Sequence, residues 1–319
     1  RILRRSRSYA PAPVPTKLNT EGIFAGGAEL VNCFAIGKGS QVILSQHIGD
    51  LQNMETLEFY TESVERHQRL FRFQPELAVM DMHPDYLSSR YVQKMGIPAI
   101  SVQHHHAHIA SCMAENGLDE QVIGISFDGT GYGSDGHVWG GEFMIADLAD
   151  FERITHFEYI PQPGGDAVTK HPWRMMLAYL HTYYGKSVVE QYPQLFEGID
   201  EKEIELILFS LEKRINCPLT SSTGRMFDAV SALLDVCRNS SYHAEAPMQL
   251  EAAADSTEKE SYLFTTSGDI SMKPAFESMI ADLQAGKSIA AIAGKFHNTV
   301  VDVIVRIALQ AREEHKLSK

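Results

Sequence analysis

The sequence predicts an α/β fold with two lobes, and three patterns in its 319 residues point to it. Three short β-rich segments with glycine turns open the chain, strands and helices then alternate, and a second set of three β-rich segments follows. Alternating strands and helices favour a sheet covered by helices, and the repeated opening favours a duplicated lobe. The second lobe is predicted to be incomplete, because no strand-like segment follows the last helical one.

The first lobe is predicted to span residues 21–120. It opens with a meander of three strands in GIFAGGAEL, VNCFAIGKG and SQVILSQHI. Apolar side chains at helical spacing predict a helix near residues 53–71. ELAVMD (76–81) and PAISV (98–102) are interpreted as buried strands on either side of a helix in YLSSRYVQKM, and a further helix is predicted after residue 102.

The second lobe is predicted to span residues 121–319. Its strands lie in VIGISFDGTGYG, HVWGGEFMIADL and ERITHFEYI, and helices follow in PWRMMLAYLHTYY, EKEIELILFSLEKR, GRMFDAVSALLDVC and AAIAGKFHNTVVDVIVRIALQAREEH. Residues 1–20, with the basic run RILRRSR and the proline-rich APAPVP, are predicted to be a linker from missing upstream domains.

Composition excludes several classes of protein. The net charge of −13 argues against non-specific binding of nucleic acid. No segment approaches the ~20 apolar residues of a membrane span, so no membrane association is predicted. The four cysteines are scattered without a CxxC pair, which favours a reducing cytoplasm over a disulfide framework or zinc ribbon.

The segment VQHHHAHIAS contains four histidines within five positions. On a helix, residues four apart share a face, so His104 and His108 are predicted to present their imidazoles to one metal ion. The cluster follows a predicted strand, at the end of a sheet where α/β proteins bind ligands. The alternative is that these histidines form hydrogen bonds in the interior or lie in solvent.

A carboxylate candidate follows the strand VIGISF. Asp128 opens DGTGYGSDG and is predicted to project from the carboxyl end of that strand. The glycines at 129, 131 and 133 let backbone N–H groups approach an anion, and Thr130 adds a hydroxyl. The alternative is a glycine-rich hairpin turn that Asp128 merely stabilises.

The sequence resembles a known family. HHHAHIAS followed by VIGISFDGTGYGSDGHVWGGEF, with DMHPDYLSSRY before and PQPGGDAVTKHPWRMM and TGRMFDAVSALL after, is similar to the HypF carbamoyltransferases of [NiFe]-hydrogenase maturation. The resemblance implies an actin/Hsp70-like ATPase (RNase H-like) fold, related to the enzymes of tRNA threonylcarbamoyladenosine synthesis.

The resemblance also implies a reaction. A carbamoyl group would pass from carbamoyl-adenylate, made from ATP and carbamoyl phosphate by an upstream domain, to the C-terminal cysteine of the partner HypE. His104, His108 and Asp128 would be the catalytic metal ligands, for iron or zinc, with Mg²⁺ possible beside the nucleotide. The attacking thiolate belongs to the partner, so this chain needs no nucleophile of its own.

The expected contacts with ATP or carbamoyl-adenylate also follow from the resemblance. They are Asn32 in the first hairpin, Gly129, Thr130, Gly131, Ser221, Arg225 and Asp228. Without the resemblance, Arg225 and Asp228 are equally well read as a surface ion pair three residues apart on a helix.

Other functions stay open at this stage. A related O-carbamoyltransferase would use the same adenylate but a small-molecule hydroxyl as acceptor. A fragment that binds nucleotide or partner without activity, and a histidine cluster that stores several metal ions, are the alternatives outside catalysis.

Overall fold

The structure, a computed structural model, describes residues 10–319 and divides into two compact units. Within the described residues, the first unit comprises 10–120 with 147–150, and the second comprises 121–146 with 151–319. The basic run of the predicted linker lies outside the described residues. Val14–Pro15 pairs with the strand at residues 41–44, so this part of segment 1–20 belongs to a sheet and not to a linker.

The first unit contains a six-stranded sheet in the order β1-β4-β3-β2-β5-β6. The middle strands β2, β3 and β4 are antiparallel neighbours, which confirms the predicted meander, whereas β5 and β6 continue parallel to β2. The bounds are β1 (Val14–Pro15), β2 (Ile23–Ala25), β3 (Ala35–Lys38), β4 (Gln41–Leu44), β5 (Leu77–Asp81) and β6 (Ala99–Val102).

The prediction that residues 98–102 form a buried strand is wrong. β6 lies at the edge of the sheet and pairs only with β5 among the described residues. Ala99, Ile100 and Ser101 are exposed as a result. An apolar run of this length does not distinguish a central strand from an edge strand.

Three helices complete the first unit, namely α1 (Met54–Phe71), α2 (Leu87–Gln93) and α3 (His104–Glu115). The helix α1 begins where Asn53 caps it by accepting a hydrogen bond from Thr56 N at 2.8 Å. Its buried face carries Tyr60, whose ring packs edge-on against Phe34 with 5.7 Å between centroids. These contacts join α1 to the core of the sheet.

The second unit contains a five-stranded sheet built around β8, which pairs with β7, β9 and β11. The three predicted strands are confirmed, and the structure shows that they pair antiparallel. The bounds are β7 (Val122–Tyr132), β8 (Val138–Ala146), β9 (Phe151–His156), β10 (Ile160–Pro161) and β11 (Leu219–Thr220).

Seven α-helices belong to the second unit. They are α4 (Pro172–Tyr184), α5 (Val188–Gln191), α6 (Glu201–Lys213), α7 (Thr223–Leu233), α8 (Glu245–Ala253), α9 (Lys273–Gln284) and α10 (Ile289–His315). The four predicted helices correspond to α4, α6, α7 and α10, whereas α5, α8 and α9 were not predicted. Trp173 on α4 is buried in the main apolar core of this unit. Within residues 10–319, no helix has the length and apolar character needed to cross a membrane.

Candidate functional site

The four histidines of α3 separate into two pairs with different surroundings. Gln103 caps the helix by accepting a hydrogen bond from His106 N at 2.9 Å. His105 is fully buried with its Nδ1 3.1 Å from the Gln103 amide nitrogen, and His106 Nε2 lies 2.7 Å from the carbonyl oxygen of Asp147. For this pair the alternative of interior hydrogen bonding is therefore correct.

The other pair is the one predicted to bind metal. His104 and His108 are one helical turn apart, and their Nε2 atoms lie 3.2 Å from each other. On its other side, His104 Nδ1 contacts Asp81 Oδ2 at 2.7 Å. In the tautomer in which His104 Nδ1 donates its proton to the Asp81 carboxylate, His104 Nε2 keeps the lone pair that a metal requires.

The spacing of the two imidazoles fits one shared ion. Two metal–nitrogen bonds of about 2.0–2.1 Å at tetrahedral or octahedral angles place the nitrogens about 2.9–3.4 Å apart. The observed separation of 3.2 Å falls within that range. Neutral imidazoles supported by a carboxylate suit zinc and iron among the divalent ions.

Sequence reasoning missed Asp81. Its position follows from the sheet: β5 ends at Asp81, which pairs in register with Val102 at the end of the parallel strand β6. The carboxylate also accepts a hydrogen bond from His83 N at 2.8 Å, which fixes its orientation. The one available signal was an aspartate at the carboxyl end of a predicted parallel strand, where ligand-binding groups gather.

Replacing Asp81 by asparagine is expected to weaken zinc binding about 10- to 100-fold, since a neutral amide supports the His104 tautomer less well than a carboxylate. Isothermal titration of the apoprotein with Zn²⁺ measures the effect. Asp85→Asn is the matched control, because Asp85 lies in the same loop and pairs with the exposed Arg90 at 2.8 Å. Equal affinities for the two variants would refute the role of Asp81.

The strand that carries Asp128 is longer than the sequence predicted. The strand β7 continues to Tyr132 instead of ending at Phe127, and the predicted loop is a bulge within the strand. Phe127 pairs with Gly141 and Gly131 pairs with Trp139, so residues 128–130 face the single residue between those partners. Such bulges redirect side chains and are frequent beside active sites.

The first turn of α7 packs on this bulge and forms hydrogen bonds with it. The Ser222 hydroxyl donates towards the carbonyl oxygens of Asp128 and Gly129, at 2.7 and 2.9 Å, and also caps α7. A Cβ on Gly224 would lie 2.9 Å from Gly129 Cα, so the first turn of the helix packs directly on the bulge. Ser222 was not predicted, because its contact spans more than 90 positions of sequence.

Ser221, one residue earlier, is buried and donates its hydroxyl to Glu142. Asn32 is also buried, in the first unit. Its side-chain amide donates hydrogen bonds to the carbonyl oxygens of Gly26 and Ala28, and these bonds stabilise the loop after β2. Contact of either residue with a nucleotide stays a prediction, as it does for Gly129, Thr130 and Gly131.

Arg225 and Asp228 form a buried ion pair, so their interpretation as a surface ion pair is wrong. The Arg225 Nη2 and Asp228 Oδ2 atoms lie 3.0 Å apart, and the side chains are only 11% and 4% exposed. Burial raises the pKa of Asp228 to about 6, although the Arg225 charge acts in the opposite direction. The pair lies on the face of α7 near the bulge, since Arg225 Nη2 is 3.7 Å from the position of a Cβ on Gly129.

The raised pKa of Asp228 predicts a pH dependence of stability. The folded state holds this proton up to about pH 6, whereas an unfolded aspartate releases it near 3.8. The stabilisation is therefore complete below pH 4 and is lost as pH rises through 6, by up to about 3 kcal/mol. Urea unfolding of wild type and Asp228→Asn from pH 4 to 7 should show their difference in free energy of unfolding falling over this range.

Asp282→Asn provides a control of opposite sign. Burial alone would raise the pKa of Asp282, but hydrogen bonds from Lys287 and Tyr262 lower it. Its stabilisation is present above the unfolded pKa of 3.8 and is lost only as pH falls below that value, so the difference for Asp282→Asn should stay nearly constant from pH 4 to 7. A difference for Asp228→Asn that does not fall between pH 4 and 7 would contradict the raised pKa.

Two family models match this chain. Residues 18–115 match the model of the HypF Kae1-like domain, and residues 124–319 match the model described as carbamoyltransferase, Kae1-like domain, second subdomain. The chain belongs to the HypF carbamoyltransferase family. The mixed sheets with flanking helices are thus those of HypF Kae1-like domains.

Curated HypF proteins are similar over most of the chain. Carbamoyltransferase HypF2 of Cupriavidus necator is 37% identical over 80% of this chain and 32% of its own length. Carbamoyltransferase HypF of Synechocystis sp. is 33% identical over 97% of this chain and 43% of its own length. The chain therefore spans less than half the length of these HypF relatives.

Solved HypF structures share the fold. A full-length HypF in the phosphate- and nucleotide-bound form is 40% identical, with a TM-score of 0.92, over 99% of this chain and 42% of that chain. The structure of T. kodakarensis HypF is 33% identical, with a TM-score of 0.90, over 99% and 43%. These HypF chains extend well beyond the part to which this one corresponds.

Proposed function

We propose that this chain transfers a carbamoyl group from carbamoyl-adenylate to the C-terminal cysteine of HypE, in synthesis of the cyanide ligand for [NiFe]-hydrogenase. The observation that carries the proposal is the His104–His108 pair oriented by Asp81, in a chain of the HypF family. The finer assignment of the fold as actin/Hsp70-like with two lobes, and a cytoplasmic location, belong to the same proposal.

His104, His108 and Asp128 are proposed to hold a divalent metal, iron or zinc. When bound, such an ion supplies a Lewis acid that polarises the carbamoyl carbonyl or holds the adenylate phosphate. His104 and His108 contribute Nε2 atoms at a suitable spacing. Asp81 keeps the His104 ring in the tautomer that leaves Nε2 available.

ATP or carbamoyl-adenylate, with Mg²⁺ possible beside it, is proposed to bind the residues around the β7 bulge. Support comes from the backbone of that bulge, which Ser222 fixes, and from the buried guanidinium of Arg225 beside it. A buried cation suits a phosphate, because the low dielectric strengthens the attraction. The proposed contacts are Asn32, Gly129, Thr130, Gly131, Ser221, Arg225 and Asp228.

In this reaction the partner's thiolate attacks the carbamoyl carbon, and the bond from that carbon to the phosphate oxygen of AMP breaks. The chain need only orient the donor and stabilise charge. Burial raises the thiol pKa of both Cys217 and Cys237, which disfavours either of these two as an attacking thiolate. The net charge of −13 supports a protein partner over nucleic acid.

The test supplies the chain with HypE and carbamoyl-adenylate formed by a separate adenylate-forming enzyme. The expected result is HypE heavier by one carbamoyl group at its C-terminal cysteine, seen by mass spectrometry of the peptide. Replacing that cysteine by serine or alanine in HypE is the control. Transfer to a sugar hydroxyl but not to HypE would support an O-carbamoyltransferase, whereas binding without transfer would refute catalysis by this chain.

A further inference from the structure

Glu142 is a fully buried carboxylate at the centre of β8, in the segment WGGEF. Its Oε1 accepts hydrogen bonds from Gly140 N at 2.9 Å, from Gly141 N at 3.0 Å and from the Ser221 hydroxyl. Its Oε2 accepts a hydrogen bond from Arg153 Nε. One side chain thus joins β8, β9 and the segment that leads into α7.

A buried carboxylate is energetically costly in a protein core. Removing a carboxylate from water costs several kcal/mol, and apolar side chains of similar volume often stabilise a core as well as an ion pair does. The donors around Glu142 offset that cost and also fix its orientation. Buried ionic groups of this kind can determine a specific local geometry.

The geometry that Glu142 determines is that of the β7 bulge. Ser221, held by Glu142, precedes Ser222, whose hydroxyl donates to the carbonyl oxygens of Asp128 and Gly129. The Asp128 carboxylate in turn accepts a hydrogen bond from Gly129 N at 2.6 Å. A continuous set of contacts therefore runs from Glu142 to the carboxylate of Asp128.

Arg153 connects the same carboxylate to the tip of the β7–β8 hairpin. Its Nη1 lies 3.2 Å from Asp135 Oδ2, and its guanidinium lies 3.9 Å from the centre of the Trp139 ring. Trp139 Nε1 also donates to Asp135 at 2.9 Å. Glu142 is thus anchored on both sides, towards the hairpin tip and towards α7.

We propose that Glu142 is a positioning residue, which sets the direction of the Asp128 carboxylate by holding Ser221 and the backbone of Gly140 and Gly141. The inference rests on the proposed function insofar as Asp128 binds metal. Glu142 itself touches neither substrate nor metal in this assignment. It acts through the bulge.

The test compares Glu142→Gln with Asp282→Asn in the full chain. Glutamine keeps the side-chain volume but turns an NH₂ group towards hydrogen-bond donors. It therefore disrupts the hydrogen bonds that one of the two Glu142 carboxylate oxygens accepts. Asp282 is the control, because it is a partly buried carboxylate of the second unit, 15% exposed, and it bonds to Lys287 and Tyr262 on contacts separate from the bulge.

Two readouts are taken for each variant beside its melting temperature. The first, made without metal, is hydrogen exchange of the amides at residues 127–131, which should become at least about tenfold faster in Glu142→Gln alone. The second is the dissociation constant for Zn²⁺, which should weaken about tenfold or more in Glu142→Gln and stay unchanged in Asp282→Asn.

The outcomes separate this inference from the proposed function. Exchange at 127–131 that is no faster in Glu142→Gln than in Asp282→Asn overturns the positioning role, whatever the metal does. Faster exchange with unchanged zinc affinity shows that Glu142 holds the bulge but overturns its action on a metal ligand. If wild type binds no zinc, the proposed metal site fails, and the exchange measurement alone decides the role of Glu142.

Discussion

Replacing His104 by alanine is expected to reduce the bound metal from about one ion per chain to less than about a tenth of an ion. Carbamoyl transfer to HypE should be lost with it. Two imidazole nitrogens 3.2 Å apart supply the core of the proposed site, and removal of one leaves too few ligands to retain an ion at low concentration. Elemental analysis after gel filtration measures the metal content, with and without ATP.

His106→Gln is the control for this experiment. His106 lies on the same helix, but its Nε2 contacts the carbonyl oxygen of Asp147, so its replacement should lower stability and spare the metal. His104→Ala should lose the metal, and its melting temperature should also fall, since the substitution removes the imidazole that contacts the buried Asp81 carboxylate; the metal content is therefore the readout that separates the two variants. Several weakly held ions in wild type, lost in proportion to the number of histidines removed, would instead indicate a storage cluster.

The proximity of His104 and His108 could be predicted from the sequence, because the spacing of four residues on a helix fixes which side chains share a face. Two features around this pair could not be predicted from the sequence. The burial of His105 and His106 depends on Gln103 and on Asp147, and the latter lies about forty positions further along the chain. Asp81 reaches His104 only because β5 and β6 pair in parallel register, and a register is a property of two strands together.

The Asp128 segment shows a different limit of sequence reasoning. Its glycines were read as a loop that approaches an anion, but β7 continues through them with a bulge. The glycine at 140 serves the close approach of two backbones, since a Cβ there would lie 2.5 Å from the Asp128 carbonyl oxygen. Glycine spacing alone does not distinguish a turn from a close contact.

The close contact at Gly140 predicts a loss of stability when a side chain is added there. Gly140→Ala should destabilise the second unit by about 3 kcal/mol, since the new methyl group meets backbone atoms that cannot move independently. It would lie 2.5 Å from Asp128 O and 3.0 Å from Ser222 Cα, between the bulge and the start of α7. Relief of the clash requires these two segments to separate, so zinc affinity should fall as well. Urea unfolding and zinc titration measure the two effects.

Gly129→Ala is the matched control for the unfolding measurement. Gly129 lies in the bulge itself, yet a Cβ there meets only Arg225 Nη2, at an ordinary contact distance of 3.7 Å. Its substitution should therefore change the free energy of unfolding by less than about 1 kcal/mol in either direction. A cost for Gly129→Ala equal to that for Gly140→Ala would mean that loss of glycine in this sheet is harmful in general. The specific packing of β8 and α7 on the bulge would then not be what holds Asp128.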